Sequence, residues 1–374
     1  MQFTIEKNLL TKAIETVGKA SATKTPIPAL EGILLEAKDK KLILTGSDLE
    51  VAIQYTIDEN VDIKKEGAIV VPAQTFSNII KRMPELDIDI NVNKDGILKI
   101  ECRGSKYELS TIDAKEYPTI ATVKPENTVL LEQRVLKNLI KQTNFAVSTD
   151  EKRKLYTGAL FNVEKDKLTV VALDGFRLAI RSVKRDAKKD SKKEFKVVIP
   201  GKSLNEVASI LDESFDTISI GVEKGQAIFD LENCKVITKT LDGDFLNYNS
   251  LLETKPETKI RVNRALFYES LNRVMLIATA TEKKEPITIN ITVGKMKLSC
   301  ISAVGNAEEE LVIETEGKDS ILKFNPNFFF DVLKNIEDEE LDITFSTSVS
   351  PCLITPVEED KDYTYIILPL RTND

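Results

Sequence analysis

Residues 67–83 read GAIVVPAQTFSNIIKRM. An apolar run, Ile69 to Val71, meets Pro72, and then Phe76, Ile79, Ile80 and Met83 fall at i, i+3, i+4 and i+7. That spacing is one face of an α-helix following a strand. The same text returns twice. VVIPGKSLNEVASIL (197–211) sets Leu204, Val207, Ala208 and Leu211 in the stripe 128 residues later, and LKFNPNFFFDVLKNI (322–336) sets Phe329, Val332, Leu333 and Ile336 a further 125 on. Pro72 and Pro200 hold matching places. Pro326 is one place off, where Asn325 can cap the helix and Pro326 can begin it.

A second helix keeps step with the first. Leu10, Ala13, Ile14 and Val17 answer to Leu136, Leu139, Ile140 and Thr143, and these to Phe267, Ser270, Leu271 and Val274. Thr143 and Ser270 interrupt an otherwise apolar stripe. The text between the helices alternates apolar and polar residues with turn signals, as in GILLEAKDKKLILTGSDLEVAIQYTI, which reads as short antiparallel strands. Two amphipathic helices recurring in one order make a repeat of single-domain size. The expected fold is α+β, three repeated domains over 1–125, 126–255 and 256–374, each with two helices packed on antiparallel sheets.

Composition narrows the chemistry. The 374 residues contain no histidine, which removes the commonest general base and the commonest metal ligand together. Cys102, Cys234, Cys300 and Cys352 are far apart, form no CxxC pair and sit in strand-like text, so neither a metal site nor a disulfide framework is expected. No cofactor and no catalytic residue is expected. No apolar run approaches a membrane span, and MQFTIEKNLL lacks a signal-peptide pattern, so a cytoplasmic protein without a membrane partner is expected. A net charge of −8 opposes nonspecific nucleic-acid binding over the whole surface, but leaves room for a basic patch on one face.

The motifs MQFTIEKNLL, LTGSDLE, VVPAQTF, LSTIDAKEYP, VALDGFRLA, TKTLDGDF and YIILPLR, in that order along the whole chain, resemble the bacterial DNA polymerase III beta subunits, the sliding clamps. The resemblance implies a non-enzymatic processivity factor of the replicative polymerase. Two chains of three domains would join head to tail into a closed ring of six domains around double-stranded DNA. The implied partners are a second copy (a homodimer), duplex DNA, the catalytic subunit of the replicative DNA polymerase, the clamp loader complex and other proteins with a clamp-binding motif.

The resemblance also assigns residues. DGFR (174–177) would form one wall of a pocket for short apolar peptides, with others from the segment after TKTLDGDF and from the C-terminal strand. The implied pocket is Tyr156, Leu173, Gly175, Phe176, Arg177, Leu178, Leu246, Leu251, Ile366, Leu368, Pro369, Leu370 and Arg371. Arg177 and Arg371 would hydrogen-bond peptide carbonyls or a carboxylate. Leu246 stands where many relatives have Pro, and Ser250 where some have Arg. Lys24 and the loop with Arg153 and Lys154 match DNA-touching positions. Gln74 and Thr75 replace basic residues that relatives often carry there.

Helix faces add Lys81, Arg82, Lys137, Lys141 and Lys202 as DNA contacts, with Lys12, Lys19, Arg134 and Lys334 on the same helix sets. A backbone of phosphates asks only for dispersed cations. These charges also suit ordinary solvated helix faces, and the basic run at 181–193 suits a solvated hairpin. The dimer contact is expected between the SKYELS strand around Tyr107 and the helix end around Leu276 and Ile277. Two other classes compete: a hydrolase using paired carboxylates, for which no acidic pair stands beside a nucleophile motif, and a monomeric peptide-binding scaffold without DNA.

Overall fold

The computed structural model describes residues 1–120, 125–185, 194–253, 256–282, 285–347, 350–358 and 361–370. Among them the six expected helices are present: α1 (Lys7–Gly18), α2 (Ala73–Arg82), α3 (Gln133–Thr143), α4 (Gly201–Ile210), α5 (Arg264–Ala278) and α6 (Pro326–Asn335). The stripes point inward. Leu10, Ala13, Ile14 and Val17 of α1 are buried, as are Phe76 and Ile80 of α2 and Phe329, Val332 and Leu333 of α6, while Ile79 and Ala208 are half-buried. The two polar interruptions are buried with their bonds satisfied locally. Thr143 Oγ1 donates to the Leu139 carbonyl at 2.7 Å, and Ser270 Oγ accepts from Arg273 Nη2 at 3.0 Å. Asn325 caps α6 by accepting from the Asn327 N–H at 3.1 Å, with Pro326 in the first turn.

The chain folds into two compact units. The first contains residues 1–135 and 202–240, described as above. Its five-stranded sheet runs Val61–Lys65, Gln2–Glu6, Asp87–Val92, Ile97–Cys102, Ser105–Ser110. Its nine-stranded sheet runs Ile112–Asp113, Gly67–Pro72, Gly32–Lys38, Lys41–Ser47, Val51–Ile57, Cys234–Lys239, Gln226–Asp230, Thr217–Glu223, Asn127–Glu132. The strand from the first repeat that meets one from the second is Val51–Ile57, antiparallel to Cys234–Lys239 with Ile53 opposite Val236.

The second unit includes residues 136–185, 194–201 and 241–370. Its nine-stranded sheet runs Phe195–Pro200, Gly158–Val163, Lys167–Leu173, Arg177–Lys184, Tyr363–Ile367, Cys352–Pro356, Glu340–Phe345, Thr258–Asn263, Glu314–Gly317. Its four-stranded sheet runs Gly305–Val312, Lys295–Ser302, Ile287–Thr292, Ser320–Phe324. Here Arg177–Lys184 from the second repeat meets Tyr363–Ile367 from the third, with Ala179 opposite Tyr365.

The repeat is legible in the register. Ile53, Ala179 and Ala307 hold one place in three equivalent strands, each facing its own hairpin partner at Gly46, Ala172 and Cys300. Val236 and Tyr107 hold one place in two others, facing Phe229 and Ile100. The strands with Ala307 and Tyr107 end their sheets, whereas their equivalents pair inside a nine-stranded sheet. In each unit apolar side chains fill the space between sheets and helices, as where the Phe329 ring lies 5.6 Å from Phe267 and 5.1 Å from Phe324. All four cysteines are buried and free. Of the basic run at 181–193, residues 186–193 fall outside the described residues.

Candidate functional site

DGFR is a turn before it is anything else. Asp174 Oδ1 accepts from the N–H groups of Phe176 at 2.8 Å and Arg177 at 3.0 Å, and Gly175 takes φ +94°. That left-handed conformation favours glycine. The turn places Leu173 opposite Leu178, and Leu178 opposite Ile366 on the strand Tyr363–Ile367. Those three belong to a buried apolar cluster with Leu160, Val171, Ile180 and Val198.

Over the cluster lie side chains that remain partly open to solvent: Tyr156 and Leu251, and also Leu155, Leu241, Phe245, Tyr248, Leu252 and Leu353. Tyr156 meets Phe245 edge to face at 6.0 Å. The C-terminal segment is tied alongside by backbone bonds. Leu368 N–H donates to the Phe176 carbonyl at 2.9 Å, and Leu370 N–H to the Lys323 carbonyl at 2.8 Å. Leu368 and Pro369 are half-buried, and Phe176, Leu246 and Leu370 are exposed. An apolar floor bordered by half-open apolar side chains suits a short apolar peptide.

The resemblance assigned Tyr156, Leu173, Leu178, Leu251 and Ile366 to a peptide pocket, and the structure brings these five side chains together in or against one apolar cluster. It missed Leu155, Leu241, Phe245, Tyr248, Leu252 and Leu353. The spacing of Phe245, Tyr248, Leu251 and Leu252 in DFLNYNSLL would have pointed to one apolar side of an irregular segment. Arg371 lies outside the described residues.

Arg177 has partners that the sequence did not suggest. Its side chain is 12% exposed and is held by the protein itself. Nε donates to Asp174 Oδ2 at 3.0 Å, Nη1 to Asp331 Oδ2 at 2.5 Å and Nη2 to the Phe145 carbonyl at 2.6 Å, while the guanidinium lies over the Phe328 ring at 4.8 Å. A guanidinium held in this way braces the turn against α6.

The basic candidates divide in the same manner. Lys24, Lys141, Arg153 and Lys154 are exposed and form no ion pair among the described residues. Lys81 pairs with Glu15 at 3.0 Å and Lys202 with Asp48 at 2.7 Å, so their charge is offset by an adjacent carboxylate. Arg82 donates to the Asn78 carbonyl at 3.1 Å, and Lys137 is half-buried and engaged. Burial pushes the Asp48 carboxyl up, but hydrogen bonds from Lys202 and from the Val51 and Glu50 amides outweigh it, and the net shift is downward. The bond to Asp48 holds Lys202 above its ordinary range.

Of the expected dimer contact, Tyr107 is 46% exposed on its edge strand and Leu276 is 71% exposed, while Ile277 is half-buried. Among the described residues no group of His, Cys, Asp and Glu is arranged to hold a metal ion, and no helix is long and apolar enough to cross a membrane.

Three family models cover nearly the whole chain: the DNA polymerase III beta subunit N-terminal domain over 1–121, its central domain over 130–247 and its C-terminal domain over 249–371. The chain belongs to the DNA polymerase III beta subunit family. The beta sliding clamp of Bacillus subtilis is 33% identical over 381 residues, and that of Halalkalibacterium halodurans 32% over 380, each covering 100% of both chains. The solved DNA polymerase sliding clamp of Bacillus subtilis superposes with a TM-score of 0.94 over 100% of this chain and 99% of that one. The putative DNA polymerase III beta subunit from Eubacterium rectale, 32% identical, gives 0.93 over 100% of both. The chain is thus a three-repeat α+β member of the sliding-clamp family.

Proposed function

We propose that this chain is a processivity factor working as a head-to-tail homodimer, a ring of six repeats that encircles duplex DNA. The three domains divide near residues 125 and 255. The groove over Leu173, Leu178 and Ile366 takes short apolar segments of the replicative polymerase's catalytic subunit, of the clamp loader and of other proteins with a clamp-binding motif. Tyr156, Leu251 and Leu368 stand beside that floor, and Gly175 and Pro369 shape the adjoining backbone. Phe176, Leu246 and Leu370 form the exposed margin. Arg177 contributes by holding the turn.

One observation carries the ring. Two of three equivalent strands find a partner from the next repeat, Ile53 opposite Val236 and Ala179 opposite Tyr365. The third, with Ala307, and the equivalent acceptor, with Tyr107, are sheet edges. Long free edges invite pairing, and a second chain satisfies both at once. Leu276, exposed on α5, supplies apolar area beside that contact.

DNA is held by dispersed cations, Lys24, Lys141, Arg153 and Lys154, touching phosphates without reading bases. Lys81, Arg82, Lys137 and Lys202 contribute at most at long range. Weak contact of this kind permits sliding and falls steeply with salt. Retention on DNA tests the reading. The loaded protein should stay on a nicked circle at high salt and run off the same molecule after linearisation; equal loss from both would overturn it. The groove is tested separately by deleting Pro369 to Asp374, which should abolish binding of a fluorescent motif peptide while dimer mass is unchanged.

A further inference from the structure

The first unit repeats the framework of the groove with smaller side chains. Asp48 Oδ1 accepts from the N–H groups of Glu50 at 3.0 Å and Val51 at 2.9 Å, as Asp174 does in the DGFR turn. Lys239 N–H donates to the Glu50 carbonyl at 3.1 Å, where Leu368 N–H donates to that of Phe176. Ser47 stands opposite Ala52, and Ala52 opposite Ile237. That is the row Leu173, Leu178 and Ile366 of the second unit, with two leucines replaced by serine and alanine. The smaller side chains leave space. A cavity of about 300 Å³ opens over the row, bounded also by Leu49 of the turn and by Pro118 and Ile120.

The rim has one strained residue. Leu49 holds the place of Gly175 and also takes a left-handed conformation, φ +75°, which an L-residue with a bulky side chain adopts only at a cost. Its side chain is 45% exposed, so burial within the chain returns little of that cost. Strain of this kind is kept where a surface works. Glu50 and Lys239, both exposed, stand together at the mouth, which therefore carries both signs and favours neither.

We infer that this cavity is a second peptide site, taking an uncharged segment of a partner protein with two neighbouring large apolar side chains. The choice of a polypeptide rests on the reading of the groove, whose backbone framework this site copies. The cavity is at the small end for ligand pockets, so it suits two side chains and not a longer run. Ala52 and Ile237 form its floor, and Leu49 covers the bound side chains from the rim. A mouth with both signs complements a segment without charge.

The test follows the isoleucine methyl groups of the full-length protein by NMR. The probe is N-acetyl-Leu-Phe-amide, with N-acetyl-Ser-Ser-amide and benzyl alcohol as controls. The apolar dipeptide should move Ile120 and Ile237 with saturation in the millimolar range, the serine dipeptide should not, and benzyl alcohol should bind about tenfold more weakly. Leu49→Gly should not lower the unfolding midpoint, yet should weaken the probe about fivefold at Ile237 by removing an apolar contact. Ala52→Leu should abolish the response at Ile120 and Ile237 and leave that at Ile366. Response at Ile366 alone overturns the second site and keeps the groove, whereas silence at all three methyls removes the groove reading as well. Benzyl alcohol binding as tightly as the dipeptide overturns the peptide assignment. A Leu49→Gly protein that is less stable but binds the probe unchanged makes Leu49 a packing residue and overturns its part in the site.

Discussion

Arg177 shows how a residue singled out by sequence can have partners that the sequence does not announce. A guanidinium beside a Gly-containing turn reads as a ligand-binding group, yet three acceptors of the protein itself, on Asp174, Asp331 and Phe145, take its three nitrogens. Charge-assisted bonds with little solvent access are each worth about 1.5–3 kcal/mol, and removing the donor leaves acceptors stranded. Arg177→Ala should therefore cost about 2–4 kcal/mol in denaturant unfolding, and Arg177→Lys should recover only part, because one ammonium cannot serve three directions. A variant as stable as the wild type would mean that these bonds do not brace the turn. Asp48 and Lys202 give a second prediction. Asp48 titrates below its ordinary 3.8, so its share of the stability is present above that value and lost as pH falls through the lowered one. Lys202 titrates above its ordinary 10.5, so its share is present below that value and lost as pH rises through the raised one. The Lys202 side chain is 65% exposed, which limits the pair to about 0.5 kcal/mol. Lys202→Met should be slightly less stable near pH 7, and the difference should vanish as pH falls through the lowered titration of Asp48 in an acid titration of unfolding midpoints.

At the scale of elements, the helices were legible because a buried face leaves a 3.6-residue period in the text, and even the cap Asn325 could be named in advance. Phe329 is the test of that reading. It is fully buried between Phe267 and Phe324, so Phe329→Ala should cost about 3–5 kcal/mol by thermal or denaturant unfolding. A loss under 1 kcal/mol would mean that α6 does not anchor the third repeat. Which strands pair across repeats was not legible. A strand such as Val51–Ile57 alternates in the same way whether its neighbour is its own hairpin partner or Cys234–Lys239, a segment nearly 180 residues away. The groove was half legible for a related reason. Leu173, Leu178 and Ile366 stand in strands with a period, but Phe245 and Tyr248 lie in an irregular segment whose inward side is chosen by tertiary packing alone.

At the scale of the whole molecule the register of the two internal junctions can be carried to the proposed third. Ala307 stands where Ile53 and Ala179 stand, and Tyr107 where Val236 stands, so Ala307 of one chain should face Tyr107 of the other. The antiparallel neighbour of that pair is Glu308 opposite Lys106. Within one chain Lys106 bonds Glu101 at 3.2 Å and Glu308 bonds Lys297 at 2.8 Å. Joining the edges would complete a ladder of alternating sign, Glu101, Lys106, Glu308, Lys297, on one face of a continuous sheet. Lys106→Glu alone would set like charges opposite each other, and so would Glu308→Lys alone. Either should raise the dimer dissociation constant, by about tenfold at low salt and less at high salt. The double variant Lys106→Glu/Glu308→Lys restores opposite signs across the junction and should recover most of the loss, although each charge then faces a like one within its own chain. Sedimentation of the four proteins over a concentration series reads this coupling directly. If the double variant is as weak as the sum of the two singles, the edges do not meet in this register. If all four are equally dimeric, the ring closes through some other surface.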